Sequence, residues 1–147
     1  MEYSLFILLL VLALAYANGT NDVSKAIATL VGSGVTNYRT AIIWGAIWTT
    51  VGAAASGVVA GAMLNTFSSG LLQPGVATPP ALAGAVLIGA IAWVLVASRT
   101  GLPVSTTHAL AGALVGGGLV AIGSDGLIWT VLSQKIALPL LLSPVLA

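Results

Sequence analysis

Apolar runs about as long as a lipid bilayer is thick follow one another along this chain, and only short polar clusters interrupt them. An α-helix needs about 20 predominantly apolar residues to cross the hydrocarbon core. Lipid offers no partner to a backbone N–H or C=O, so each crossing segment must satisfy its own. The runs divide the chain into a broken first helix over residues 1–34, a second span over 41–67, a helical hairpin over 81–122 and an incomplete last span over 127–147. Residues 68–80, rich in Ser, Gly and Pro, read as an external loop, and Gly123-Ser124-Asp125-Gly126 as a turn. Tyr38 and Arg39 suit an interfacial anchor at the start of the second span. The expected fold is all-α: a single transmembrane domain over residues 1–147, a polytopic helix bundle passing several times through the cell membrane.

Composition removes the other classes. The chain is 59% hydrophobic and 5% charged, against about a quarter charged in soluble domains. It has no cysteine, one histidine and three acidic residues, which leaves little for a disulfide framework or a metal centre. A net charge of +1 lacks the basic stripe that nucleic acid requires. Ala15-Tyr16-Ala17 has the small-x-small form of a signal-peptide cleavage site. The residues ahead of it carry Glu2 and no Lys or Arg, so the first stretch is expected to be retained. Lys25, Arg39, Arg99 and Lys135 are spread along the chain, so the loop bias that sets orientation is nearly absent.

Two polar islands stand out against this background: Asn18-Gly19-Thr20-Asn21-Asp22 and Gly101-Leu102-Pro103-Val104-Ser105-Thr106-Thr107-His108. Polar groups at membrane depth are costly unless paired or set beside a wet cavity, and they mark ion or substrate paths; the islands are expected to form one site. In the first, Asn, Asp and Thr side chains compete for backbone hydrogen bonds and Gly19 adds freedom, so the helix is expected to unwind near residue 18 and restart near Val23. An interfacial loop is the plainer alternative. Lys25 can pair with Asp22, meet an anion or snorkel to the interface. In the second island, Gly101 and Pro103 end one helix, and Ser105, Thr106 and Thr107 open the next beside unsatisfied N–H groups, which makes an anion cradle. An external turn between two spans is its plainer alternative. Arg99 and His108 flank the cradle, and a lone histidine there is more often structural than a proton carrier. Gly52, Gly57 and Gly61, and likewise Gly112, Gly116 and Gly117, are expected to allow close helix packing.

On these islands the chain resembles the inorganic phosphate transporters of the PiT type. Gly19-Thr20-Asn21-Asp22-Val23-Ser24-Lys25 is similar to the family's Gly-Ala-Asn-Asp-Val-Ala-Asn signature, departing at Thr20 and at Ser24-Lys25. Gly101 to His108 matches its Gly-Leu-Pro-Val-Ser-Thr-Thr-His signature without change, and the run Ala28 to Gly34 also looks like the family. The resemblance implies one half of an inverted-repeat transporter that moves inorganic phosphate in symport with Na⁺ or H⁺. Asn21, Ser105, Thr106 and Thr107 would bind substrate, Asn21 and Asp22 the coupling cation, and Thr20, Lys25, Arg99 and His108 would be accessory. No cofactor is implied, and no metal beyond Na⁺ at Asp22. The second repeat would lie in a longer chain or in a partner subunit. Alternatives are a permease for sulfate or another tetrahedral oxyanion, a structural membrane subunit without transport, and, weakest, an intramembrane hydrolase built on Ser105 or Thr106 with His108.

Overall fold

The structure, a computed structural model, describes residues 2–59, 61 and 70–146. Helix α1 is Glu2–Gly32, α2 Tyr38–Val59, α3 Ala81–Thr100 and α4 Thr106–Ile122. A 3-10 turn at Ser124–Gly126 leads into α5, Trp129–Leu132, then a π turn at Ser133–Ala137 and α6, Leu138–Leu146. Helices α1, α2 and α3 are long and apolar enough to cross a membrane, and the all-α membrane bundle expected from the sequence is what the chain forms. Most of residues 60–67, the end of the expected second span, lie outside the described residues, as do residues 68 and 69 of the expected loop.

The first helix differs from expectation: α1 is continuous for 31 residues and does not unwind at the first island. The hydroxyls that were expected to compete with the backbone instead return to it. Thr20 Oγ1 donates to Ala17 O at 2.7 Å, and Ser24 Oγ donates to Asn21 O at 2.8 Å and to Thr20 O at 3.1 Å. Those carbonyls keep their helical geometry, as is usual for Ser and Thr bonded one turn back. Asn18 and Asn21 reach a different helix altogether, so neither offers the local backbone an alternative to the helix.

The other boundaries have local causes. Asn37 Oδ1 accepts from Thr40 N at 2.9 Å and caps α2. Gly101 ends α3 in the left-handed region, φ 74°, where its N–H bonds Ala97 O; a glycine bears that conformation without a Cβ penalty. Pro139 has no N–H for the carbonyl one turn earlier, and the turn ahead of it widens so that Leu138 N–H donates to Ser133 O. Residues 71–73 are tied to the segment that leads into α5. Leu71 is buried, its carbonyl accepts from Ile128 N at 2.9 Å, and Gln73 N donates to Gly126 O at 2.9 Å.

Helix α1 packs between α2 and α3, and α3 pairs with α4. The seam is built from small side chains: Ala17, Ala90, Val94 and Ala109 are buried together, with Leu14, Leu95 and Val104 closing over them. Small residues let helix backbones approach where lipid supplies no hydrophobic drive to association. The glycines that do this are mostly not the expected ones. Gly52, Gly57, Gly61, Gly112 and Gly116 face open space among the described residues, while Gly117 meets Leu82 and Gly118 meets Leu127. A Cβ at Gly45 would lie 2.8 Å from Val23 Cγ1 and 3.2 Å from Ile27 Cγ2. Val23 is β-branched and stiff, so it cannot swing aside. Gly45→Val should therefore lower stability by about 1–3 kcal/mol through overpacking, read as a lower melting temperature in detergent. Adding Val23→Ala should restore part of the loss, and no restoration would mean that α1 and α2 do not meet there.

Candidate functional site

The continuous α1 places Asn18, Asn21, Asp22 and Lys25 three and four residues apart, which puts them on one face. That face meets the segment between α3 and α4, which brings the two islands into contact. Asn21 is 4% exposed and uses both ends of its amide. Its Nδ2 donates to Ser98 Oγ at 3.2 Å and to Leu102 O at 3.3 Å, and its Oδ1 accepts from Val104 N at 3.4 Å. Pro103 and the end of α3 leave these backbone groups without helical partners, so the amide supplies what the break removed. Thr106 Oγ1 donates to Asn18 Oδ1 one turn earlier on α1. Lys25 Nζ donates to Val104 O at 2.8 Å and pairs with Asp22 Oδ1 at 2.7 Å, both side chains being part exposed.

The opening of α4 has a distinct donor inventory. Ser105 is extended, φ −93° and ψ 120°, and its Oγ accepts from His108 N at 3.4 Å as the helix cap. Ala109 N bonds Ser105 O. The amides of Thr106 and Thr107 are thus the two first-turn N–H groups without an acceptor among the described residues. The half-buried Thr107 hydroxyl likewise takes no partner among them. Free N–H and O–H groups at the positive end of a helix suit an anion.

The remaining candidates are less central. Thr20 is committed to its own helix. Arg99 is exposed in the last turn of α3, where a cation suits the helix dipole. His108 is exposed and, with Val104, Ser105, Trp93 and Leu140, borders a groove of about 750 Å³ that runs from the opening of α4. No group of three or more His, Cys, Asp or Glu side chains that could hold a metal ion occurs among the described residues. Sequence reasoning missed Ser98 as a partner of Asn21 and missed Asn18 as a partner of Thr106. The helical spacing of residues 18, 21, 22 and 25 was the signal that could have found the second.

Removing the Asn21 amide would strand Leu102 O and Val104 N in a part-buried place. Asn21→Leu should cost about 1–3 kcal/mol and speed hydrogen exchange at Val104 above that at residues in the middle of α3. Unchanged exchange at Val104 would show that the tip is held by other means.

The sequence model of the phosphate transporter family matches residues 18–147. A Mycobacterium leprae protein named probable low-affinity inorganic phosphate transporter is 34% identical over 151 aligned residues, covering 100% of this chain and 35% of that protein. A Rhizobium meliloti protein of the same name is 34% identical over 114 residues, covering 78% of this chain and 33% of that protein. A solved structure of a sodium-dependent phosphate transporter superposes with a TM-score of 0.78 at 30% identity, covering 99% of this chain and 36% of that one. The chain spans about a third of the length of these relatives.

Proposed function

The chain belongs to the phosphate transporter family, and from that premise we propose that it supplies one repeat of a secondary active transporter carrying inorganic phosphate across the cell membrane with Na⁺ or H⁺. The observation that supports this most is the opening of α4, where the Thr106 and Thr107 amides and the Ser105 and Thr107 hydroxyls have donors to spare. Phosphate offers several acceptor oxygens, and such a donor set fits one face of it. Asp22 repels the anion and suits the coupling cation. Asn21 serves both by holding the tip against α1, and it would reach substrate directly only by exchanging one of its present bonds. A second pair of islands, in a longer chain or in a partner subunit, would close the other side. The names and transport functions of the relatives support a transporter and give the hydrolase alternative nothing.

Thr107→Val removes one free hydroxyl and should weaken phosphate binding by about 1–2 kcal/mol, or about 5- to 30-fold in half-saturating concentration. Thr106→Val, which removes a hydroxyl that already donates to Asn18, should weaken it less, through the release of Asn18. The measurement is uptake of labelled phosphate into proteoliposomes; unchanged affinity in both variants would place the substrate elsewhere. Sulfate should compete poorly, and equal competition would favour a general oxyanion permease. Asp22→Asn should abolish uptake driven by an imposed cation gradient while the protein stays folded; retained coupling would remove Asp22 from the cation site.

A further inference from the structure

Resting on the transport reading above, we propose that Lys25 decides between the two coupling ions: its ammonium occupies the position between Asp22 and the hairpin tip that Na⁺ would otherwise take, which leaves H⁺ as the coupling ion of this repeat. The ammonium lies 2.7 Å from a carboxylate oxygen, Asp22 Oδ1, and 2.8 Å from a backbone carbonyl, Val104 O. Carboxylate and carbonyl oxygens are the ligands that hard cations take from proteins, and an ammonium is a compact point charge of the same sign. The same two oxygens would serve a mobile cation bridging α1 to the tip. Here a tethered one bridges them.

Charge makes the two cations alternatives. The chain has three acidic residues, and Asp22 is the one beside the tip. Glu2 lies 20 positions earlier on the same continuous helix, about 30 Å away at 1.5 Å per residue. Asp125 sits in the turn beyond the far end of α4. A single carboxylate neutralises one monovalent cation, and a second brought to the same two oxygens would meet the Lys25 charge at contact distance. A neutral amide in place of Lys25 would leave Asp22 uncompensated and open to an ion from solution.

The test compares the whole protein, purified in detergent, with Lys25→Asn and Lys25→Gln. The readout is melting temperature in NaCl against choline chloride at equal ionic strength. Both variants should gain a saturable stabilisation by Na⁺ that the wild type lacks, and adding Asp22→Asn should abolish that gain. If neither variant gains it, or the gain survives Asp22→Asn, the proposal is overturned. The second variant guards against a folding defect peculiar to the first. In proteoliposomes, replacing Na⁺ with choline should reduce phosphate uptake at least tenfold more in the variants than in the wild type; equal reductions would overturn the proposal. A wild type that takes up no phosphate in either medium would refute the transport reading, while the melting comparison still decides what occupies Asp22.

Discussion

The carboxamide of Asn21 is the contact on which the rest of the site depends. Breaking a helix frees backbone groups that must find other partners. The break between α3 and α4 is tolerated because one buried side chain supplies both a donor and an acceptor to it. Asn is suited to this, having an N–H₂ and a carbonyl on one rigid plane. Once Asn21 is placed, helical spacing carries Asn18 to Thr106 one turn earlier and Lys25 to Val104 one turn later. Asp22, beside Asn21, is left part exposed at the edge of the contact. A continuous α1 is therefore a requirement of the site: unwinding at residue 18 or 20 would put these side chains out of register.

What could be read in the chain follows from how local its causes are. The tip was legible because its signals lie within a few residues: a glycine that can take positive φ, a proline without an N–H, and a serine that caps the next helix. The continuity of α1 was not, because Asn and Asp weaken a helix only when their side chains turn back on it, and here the partner is more than seventy residues away. Composition at residues 18–22 suggested a break. The three-and-four spacing through residue 25 carried the opposite message, and tertiary pairing decided between them. Ser98, Leu102 and Val104 act through a hydroxyl and through backbone atoms that no residue pattern distinguishes.

The glycines make the same point about packing. Glycines recur along α2, yet Gly52 and Gly57 meet nothing among the described residues, and the close approach falls at Gly45. The buried seam is mostly alanine, with Val94 its largest member. Periodicity shows where a small residue permits contact. Which of several permissive positions is used depends on where α1 is pinned, and Asn21 and Ala17, both buried one turn apart, pin it on the side of α3 and α4.

The donors at the opening of α4 also bear on what must complete the site. Two backbone amides and the neighbouring hydroxyls approach an anion from one side, the side of the helix end. A tetrahedral oxyanion presents oxygens in all directions, and those turned away from α4 would keep their water unless a second polar surface met them. Asp22, Lys25, Ser105 and Thr107 are all at least part exposed. Large apolar side chains stand exposed along α1 and α2, among them Leu8, Leu12, Trp44 and Trp48, faces suited to lipid or to another helical layer. If the tip holds phosphate as proposed, it would hold it weakly and reversibly until something closes over it. In a transporter that is an advantage, because a site fully satisfied by one repeat would bind phosphate without any coupling between binding and the movement that releases it.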